Sequence, residues 1–192
     1  MLKAAKHRKL ISNMDSATQI LDIAERRMRQ TGYNAVSYRD IATEMGIKSA
    51  SLHYHFPKKE DLGTALTQRY TDNFESALET IVKTKTNPKD CLKAFVDIYS
   101  HELKQRGLVC LCAVLGAETD GLPERVSTEI KRFYDKNIDW LTAQYKSLGK
   151  DAPAAHAKTT LSLLSGAMIV SASSNDNSIF DAAIESIAQG LG

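Results

Sequence analysis

SYRDIATEMGIKSASLHYHFPKKEDL, residues 37–62, reads as a helix, a tight turn, a second short helix and the capped, basic start of a long third one. Ser37 stands just ahead of the first helix with Asp40 three residues on, which makes an N-cap and a near capping box. Tyr38, Ile41, Ala42 and Met45 then fall on one apolar stripe about two turns long. Gly46 ends that helix, because glycine takes the positive φ of a C′ position without steric cost. The next helix has only Ile47, Leu52 and Phe56 to turn inward, and it displays Lys48, Ser49 and Ser51. A helix so short and polar is not held up by its own burial. Two helices joined by a glycine turn, the second displaying small polar and basic residues, is the layout that places a recognition helix in the DNA major groove.

Outward from this stretch, composition narrows the class. The chain has 192 residues, 43% hydrophobic and 25% charged, ordinary values for a globular protein with a sizeable core. Its net charge of +2 is unevenly placed: residues 1–62 hold eleven Lys/Arg against seven Asp/Glu, while residues 63–192 hold fourteen against sixteen. The small basic excess therefore travels with the two-helix motif, as polyanion binding requires. No apolar run follows Lys9, so no signal peptide is expected. No 18-residue apolar stretch exists to span a membrane, and Cys91, Cys110 and Cys112 read as reduced thiols. A cytoplasmic location is the expectation. No glycine-rich phosphate loop, GxSxG elbow or HExxH occurs, so no enzyme and no cofactor are expected.

Residues 1–14 carry four Lys/Arg and no acid. They read as a solvated basic tail, as sequence upstream of an internal start at Met14, or as an arm that adds phosphate contacts. Asp15 or Ser16 is placed to cap the first helix, whose stripe is Ala17, Ile20, Leu21, Ala24 and Met28, with Gly32 as its stop. From about Lys58 to Val82, Leu62, Leu66, Tyr70, Phe74 and Leu78 step by four along one long helix that links the first unit to the rest. Helices follow around Leu92–Leu103, the nearly all-apolar Leu108–Leu115, Val126–Tyr145, Ala152–Ala172 and Ser178–Leu191. No period-two alternation survives anywhere, so no strand is expected.

Within residues 37–62, IATEMGIKSASLHYHFPKKEDL resembles the DNA-binding segment of the tetracycline-repressor (TetR) family, with Ile41, Ala42, Gly46, Leu52, Tyr54, His55, Phe56, Lys59, Glu60 and Leu62 at the matching positions. His53 stands where that family usually has a tyrosine. The resemblance implies an all-α fold: a three-helix helix-turn-helix DNA-binding domain (15–61, after the tail 1–14) and a helical effector-binding and dimerisation domain (62–192). It also implies a homodimeric regulator, a repressor by preference, released from a palindromic double-stranded operator by a small-molecule effector.

Candidate DNA contacts are Ser37, Tyr38, Arg39, Lys48, Ser49, Ala50, Ser51, His53, Tyr54, His55, Lys58 and Lys59. The basic residues near helix starts suit phosphates, and the display face of the short helix suits base edges. Tyr70, Phe74, Phe95, Tyr99, Leu111, Leu115, Phe133 and Met168 are the candidate lining of an effector pocket; their plain alternative is core. The small residues of the last two helices, such as Ala154, Ser162, Gly166, Ala172 and Ala182, suit either intrachain packing or a two-fold four-helix interface. Cys110 and Cys112 read as two buried small hydrophobes or as a thiol sensor of electrophiles or oxidants. His53 and His55 diverge on a helix and have no third ligand at suitable spacing, so no metal is expected. A helical interaction protein without DNA binding is the remaining class; it leaves Lys48 and Lys59 unexplained.

Overall fold

The computed structural model describes residues 2–118 and 121–191, with side chains from residue 16 onward. Its helices are α1 (Leu2–Thr31), α2 (Tyr38–Met45), α3 (Ser49–His55), α4 (Lys59–Thr84), α5 (Pro88–Lys104), α6 (Leu111–Gly116), α7 (Glu124–Ser147), α8 (Pro153–Ser174) and α9 (Ser178–Gln189). No strand occurs among the described residues, and no helix is long and apolar enough to cross a membrane.

Two elements differ from the sequence expectation. Helix α1 does not begin at Asp15 or Ser16: its backbone is helical from Leu2, and neither Gly nor Pro interrupts it before Gly32. The basic side chains expected over 1–14 lie outside the described residues. The apolar run 108–115 is not one helix either. Gly107 ends α5 at a φ of 64°, residues 107–110 form an irregular link, and α6 starts only at Leu111.

Local chemistry sets most other boundaries. Ser37 Oγ accepts from Asp40 N at 3.2 Å while Asp40 Oδ2 accepts from Ser37 N at 3.0 Å, closing the capping box of α2. Gly46, at φ 67°, turns the chain out of α2 by donating to the carbonyls of that helix. Asn87 caps α5 ahead of Pro88, and Asn175 ends α8 in the left-handed region.

Helix α2 packs on α1 and α3, and α4 then runs from this unit into the remainder, touching α1, α5, α6 and α7. Leu62, Leu66, Phe74, Leu78 and Ile81 form its buried edge. A single apolar cluster extends from Ile20 on α1 to Ile187 on α9. Gly63 allows α4 to approach closely: a Cβ there would lie 2.7 Å from the Tyr33 ring and 3.0 Å from a Val126 methyl.

Three polar ties fasten α1 and its following loop to the rest. The Arg29 side chain is fully buried; its Nε donates to Val109 O at 2.7 Å and its guanidinium lies 2.6 Å from a Glu102 oxygen and 3.3 Å from Glu25. It also lies 5.6 Å from the centre of the Tyr70 ring. Glu118, beyond α6, accepts from Tyr33 N (2.6 Å), Asn34 N (3.1 Å) and Asn34 Nδ2 (2.7 Å). Arg69 on α4 pairs with Asp22 and Glu25 on α1. Exposed pairs such as Lys93–Asp97 contribute little, whereas stranding a buried charge costs several kcal/mol. Glu102→Ala is therefore expected to lower stability by about 3 kcal/mol, and Lys93→Ala by less than about 0.5 kcal/mol. Urea denaturation of the two variants beside wild type decides between them; equal small losses would refute the central place given to Arg29.

Candidate functional site

Helix α3 is carried on two apolar anchors. Leu52 is fully buried and Phe56 nearly so, while Lys48, Ala50, Ser51, His53 and Tyr54 are exposed and Ser49 and His55 half-buried. Tyr54 is 72% exposed, far beyond what a tyrosine needs in order to wet its hydroxyl, and it is one of few large rings on the surface. Its neighbour His55 sets its ring edge-on against it at 5.3 Å.

Tyr38 braces the far end of this helix. Its hydroxyl donates to Phe56 O at 2.7 Å and its ring lies 4.7 Å from that of His53. Burial, with nearby Asp61, pushes its phenol pKa well up, so it stays a neutral donor. It is thus half-buried and engaged, where the sequence suggested a DNA contact. Ser37 and Arg39 remain exposed at the N-terminus of α2. Lys58 is exposed just before α4, its backbone N–H donating to Asp61 Oδ2 at 3.0 Å. Hydrogen bonds from Ser37 and from Arg125 and Lys58 hold the Asp40 and Asp61 carboxyls below the usual range. Both caps are therefore charged at neutral pH.

Lys59 departs most from its expected role. Its ammonium turns inward, 3.2 Å from Asn34 O and 4.6 Å from the centre of the Tyr33 ring. Partial burial lowers its pKa against the opposing pull of Glu118, and burial raises that of Tyr33 to about 12. Lys59 thus ties α4 to the loop that Glu118 holds. Of the basic candidates, Arg39, Lys48 and Lys58 are the outward-facing ones.

The eight effector candidates do converge, but as a packed core. Phe74 meets Phe95, Tyr99 and Phe133 edge to face at 5.3–5.9 Å, and Tyr70 meets Phe133 at 5.5 Å. Phe95, Leu111, Leu115, Phe133 and Met168 have no exposed surface. What remains is a cavity of about 10 Å³ between Tyr70, Phe74, Tyr99, Glu102, Cys110 and Met168, room for one water. The expected pocket is closed because interlocked rings fill it. The Tyr99 hydroxyl, at its edge, is buried without a hydrogen-bond partner among the described residues.

Cys110 and Cys112 flank the start of α6 instead of lying within one helix, and both are buried. Burial raises both thiol pKa values, opposing the thiolate that a sensor needs. No group of three metal-binding side chains occurs among the described residues. Sequence reasoning missed Arg29, Glu102 and Glu118; the one local hint was Glu25 four residues before Arg29, beside an apolar stripe.

The outer side of α8 carries exposed apolar residues toward its C-terminal half, beyond exposed Lys158, Thr159 and Ser162. Val170 is 51% and Ile169 39% exposed, and a Cβ on Gly166 would meet nothing.

Comparison with known proteins matches residues 20–66 to the family described as bacterial regulatory proteins, tetR family. The HTH-type transcriptional repressor KstR2 of Rhodococcus jostii is 31% identical over 101 residues, which cover 45% of this chain and 50% of that protein. The chain thus aligns with half or less of the length of the curated relatives it matches. Across the whole fold, a TetR transcriptional regulator from Legionella pneumophila shares 31% identity at a TM-score of 0.86, covering 91% of this chain and 96% of that one. A TetR-family regulator from Agrobacterium tumefaciens shares 29% at 0.87, covering 93% and 97%. With the braced α3 and its outward Lys48, Ser51 and Tyr54 already in place, these matches settle the lineage: the chain belongs to the TetR family of bacterial transcriptional regulators.

Proposed function

We propose that this protein is a cytoplasmic homodimeric repressor that binds a palindromic double-stranded operator through α3 and leaves it when a small-molecule effector occupies the helical domain. The observation that carries the reading is α3 itself. Seven residues long, it turns Lys48, Ala50, Ser51, His53 and Tyr54 to solvent while Leu52, Phe56 and the Tyr38–Phe56 hydrogen bond hold its base. Lysine, hydroxyls and a methyl group are the chemistry that reads guanine, several base edges and thymine. Repression follows the repressor relatives.

The two-fold arrangement is supported by α8. A helix with Gly166 open to close approach and Ile169 and Val170 exposed beside it fits a second copy of itself better than water. Two such subunits set their recognition helices about one DNA turn, roughly 34–36 Å, apart.

Effector release is supported by the ties around Arg29. Tyr70, Glu102 and Cys110 line the 10 Å³ cavity, and the first two contact Arg29, whose own helix packs on α2. A molecule admitted there has to part the aromatic core, and the energy to do so comes from binding the parted form better. Its contacts would be largely apolar, with the Tyr99 hydroxyl as a polar handle.

Selection from a random DNA pool tests the reading directly: a palindromic consensus is expected, and enrichment of no sequence would sink it. On the selected duplex, Lys48→Ala and Lys58→Ala are each expected to lower the log–log salt slope by about 0.9. Lys59→Ala is expected to leave that slope alone and lower thermal stability instead, because its ammonium is spent on Asn34 and Tyr33. A slope that falls for Lys59→Ala and not for Lys58→Ala would reverse the assignment.

In sedimentation at micromolar concentration, the wild type is expected at twice the 21.2 kDa chain mass. Val170→Glu is expected at the chain mass with unchanged helicity. A wild-type monomer would refute the two-fold operator model.

A further inference from the structure

The carbonyl of Pro57 decides what His53 is able to do. A carbonyl oxygen only accepts, so the His53 Nδ1 that lies 3.2 Å from it must carry the hydrogen. In a neutral imidazole the other nitrogen, Nε2, then has none and is purely an acceptor. The ring rests against Tyr38, planes inclined at 53°, and Tyr38 in turn bonds Phe56 O. His53 is exposed, and its Nε2 has no partner among the described residues.

Its position says what that nitrogen meets. In a helix-turn-helix the first helix crosses the sugar–phosphate backbone while the second lies in the groove, and helix N-termini favour phosphate. Tyr38 is the first residue of α2, so a ring set against Tyr38 stands on the side of α3 that faces α2, the helix that crosses the backbone. A bare Nε2 lone pair repels a phosphate oxygen there. The imidazolium, a donor at both nitrogens, keeps Pro57 and bonds the phosphate together.

We propose that His53 is a proton-linked phosphate contact: docking on DNA draws one proton from solvent onto its Nε2, and the new N–H donates to a phosphate oxygen. This rests on the DNA-binding reading above. On release the proton returns to water, so the chain grips DNA more firmly in mildly acidic than in alkaline solution.

The surrounding groups leave this role to phosphate. From α2 the ring faces Tyr38, a phenol kept neutral by burial. From the turn into α4 it faces the Pro57 carbonyl, followed by exposed Lys58, while Asp61 is taken up by the Lys58 N–H and Arg125. Its own helix contributes Lys48 at the start and Tyr54 and His55 beside it. No carboxylate contacts the ring among the described residues.

Because a phosphate contact does not depend on base sequence, the test needs no known operator. The full-length protein is titrated against a random-sequence duplex of about 30 bp by fluorescence anisotropy, from about pH 5.5 to 8.5 and across about 50–200 mM salt. Wild type is expected to lose about tenfold in affinity over that pH range beyond any loss in His53→Gln. Its log–log salt slope is expected to shrink by about 0.9 on the alkaline side, and that of His53→Gln to stay constant. His101→Gln, an exposed histidine on α5, serves as the control and keeps the wild-type profile. Circular dichroism verifies that each variant is as helical as wild type. Should His53→Gln follow the wild type at every pH, the inference is wrong and the DNA-binding reading stands. Tighter wild-type binding on the alkaline side overturns it too, since it would make Nε2 an acceptor from a base amino group. No binding by any form at any pH takes the DNA-binding reading down as well.

Discussion

Arg29 carries a charge at every pH a protein meets, and its side chain has no contact with solvent. A guanidinium so placed has to be met by protein groups on all sides, and here they come from four elements. Glu25 is on its own helix, Glu102 on α5, the Val109 carbonyl on the irregular link before α6, and the Tyr70 ring on α4. Desolvating a cation is costly enough that none of these partners is free to leave singly. The position of α1 is therefore not independent of the interior of the larger domain. Glu118 repeats the device at the other end of α6, where one carboxylate takes three N–H groups from the loop after α1. A six-residue helix is strapped at both ends to the unit that carries α3.

What was legible in the sequence is what neighbouring residues decide among themselves. Ser37 and Asp40 are three positions apart, and Gly46 needs only its own freedom of φ; both did what local chemistry requires. The step of four through Leu62, Leu66, Phe74 and Leu78 became the buried edge of α4 for the same reason. The ties of Arg29 to Val109 and of Glu118 to Asn34 join residues 80 and 84 positions apart, and no period or cap announces them. Lys59 shows how this misleads. Its place at a helix start pointed outward, yet the Tyr33–Asn34 loop, held over it by Glu118, draws the ammonium in.

The effector candidates illustrate a different limit. Periodicity tells which side of a helix faces inward, and all eight residues do face inward. It does not tell whether facing rings leave a gap. Phe74, with three aromatic neighbours edge to face, fills the volume that a ligand would need. Likewise, the apolar run 108–115 promised burial and is buried almost throughout, but its first part, between Gly107 and the Arg29–Val109 bond, is not helical. Burial was read correctly there and backbone shape was not.

Helix α4 carries 26 residues without Gly or Pro beyond Gly63, so it bends little. At 1.5 Å per residue it is a lever about 39 Å long. A rigid rod of that length tilted by about 3° at one end travels about 2 Å at the other. Hydrogen bonds tolerate only a few tenths of an ångström in donor–acceptor distance. A core that yields by less than the width of a methyl group beside Phe74 therefore has leverage enough to carry α3 out of register with a groove.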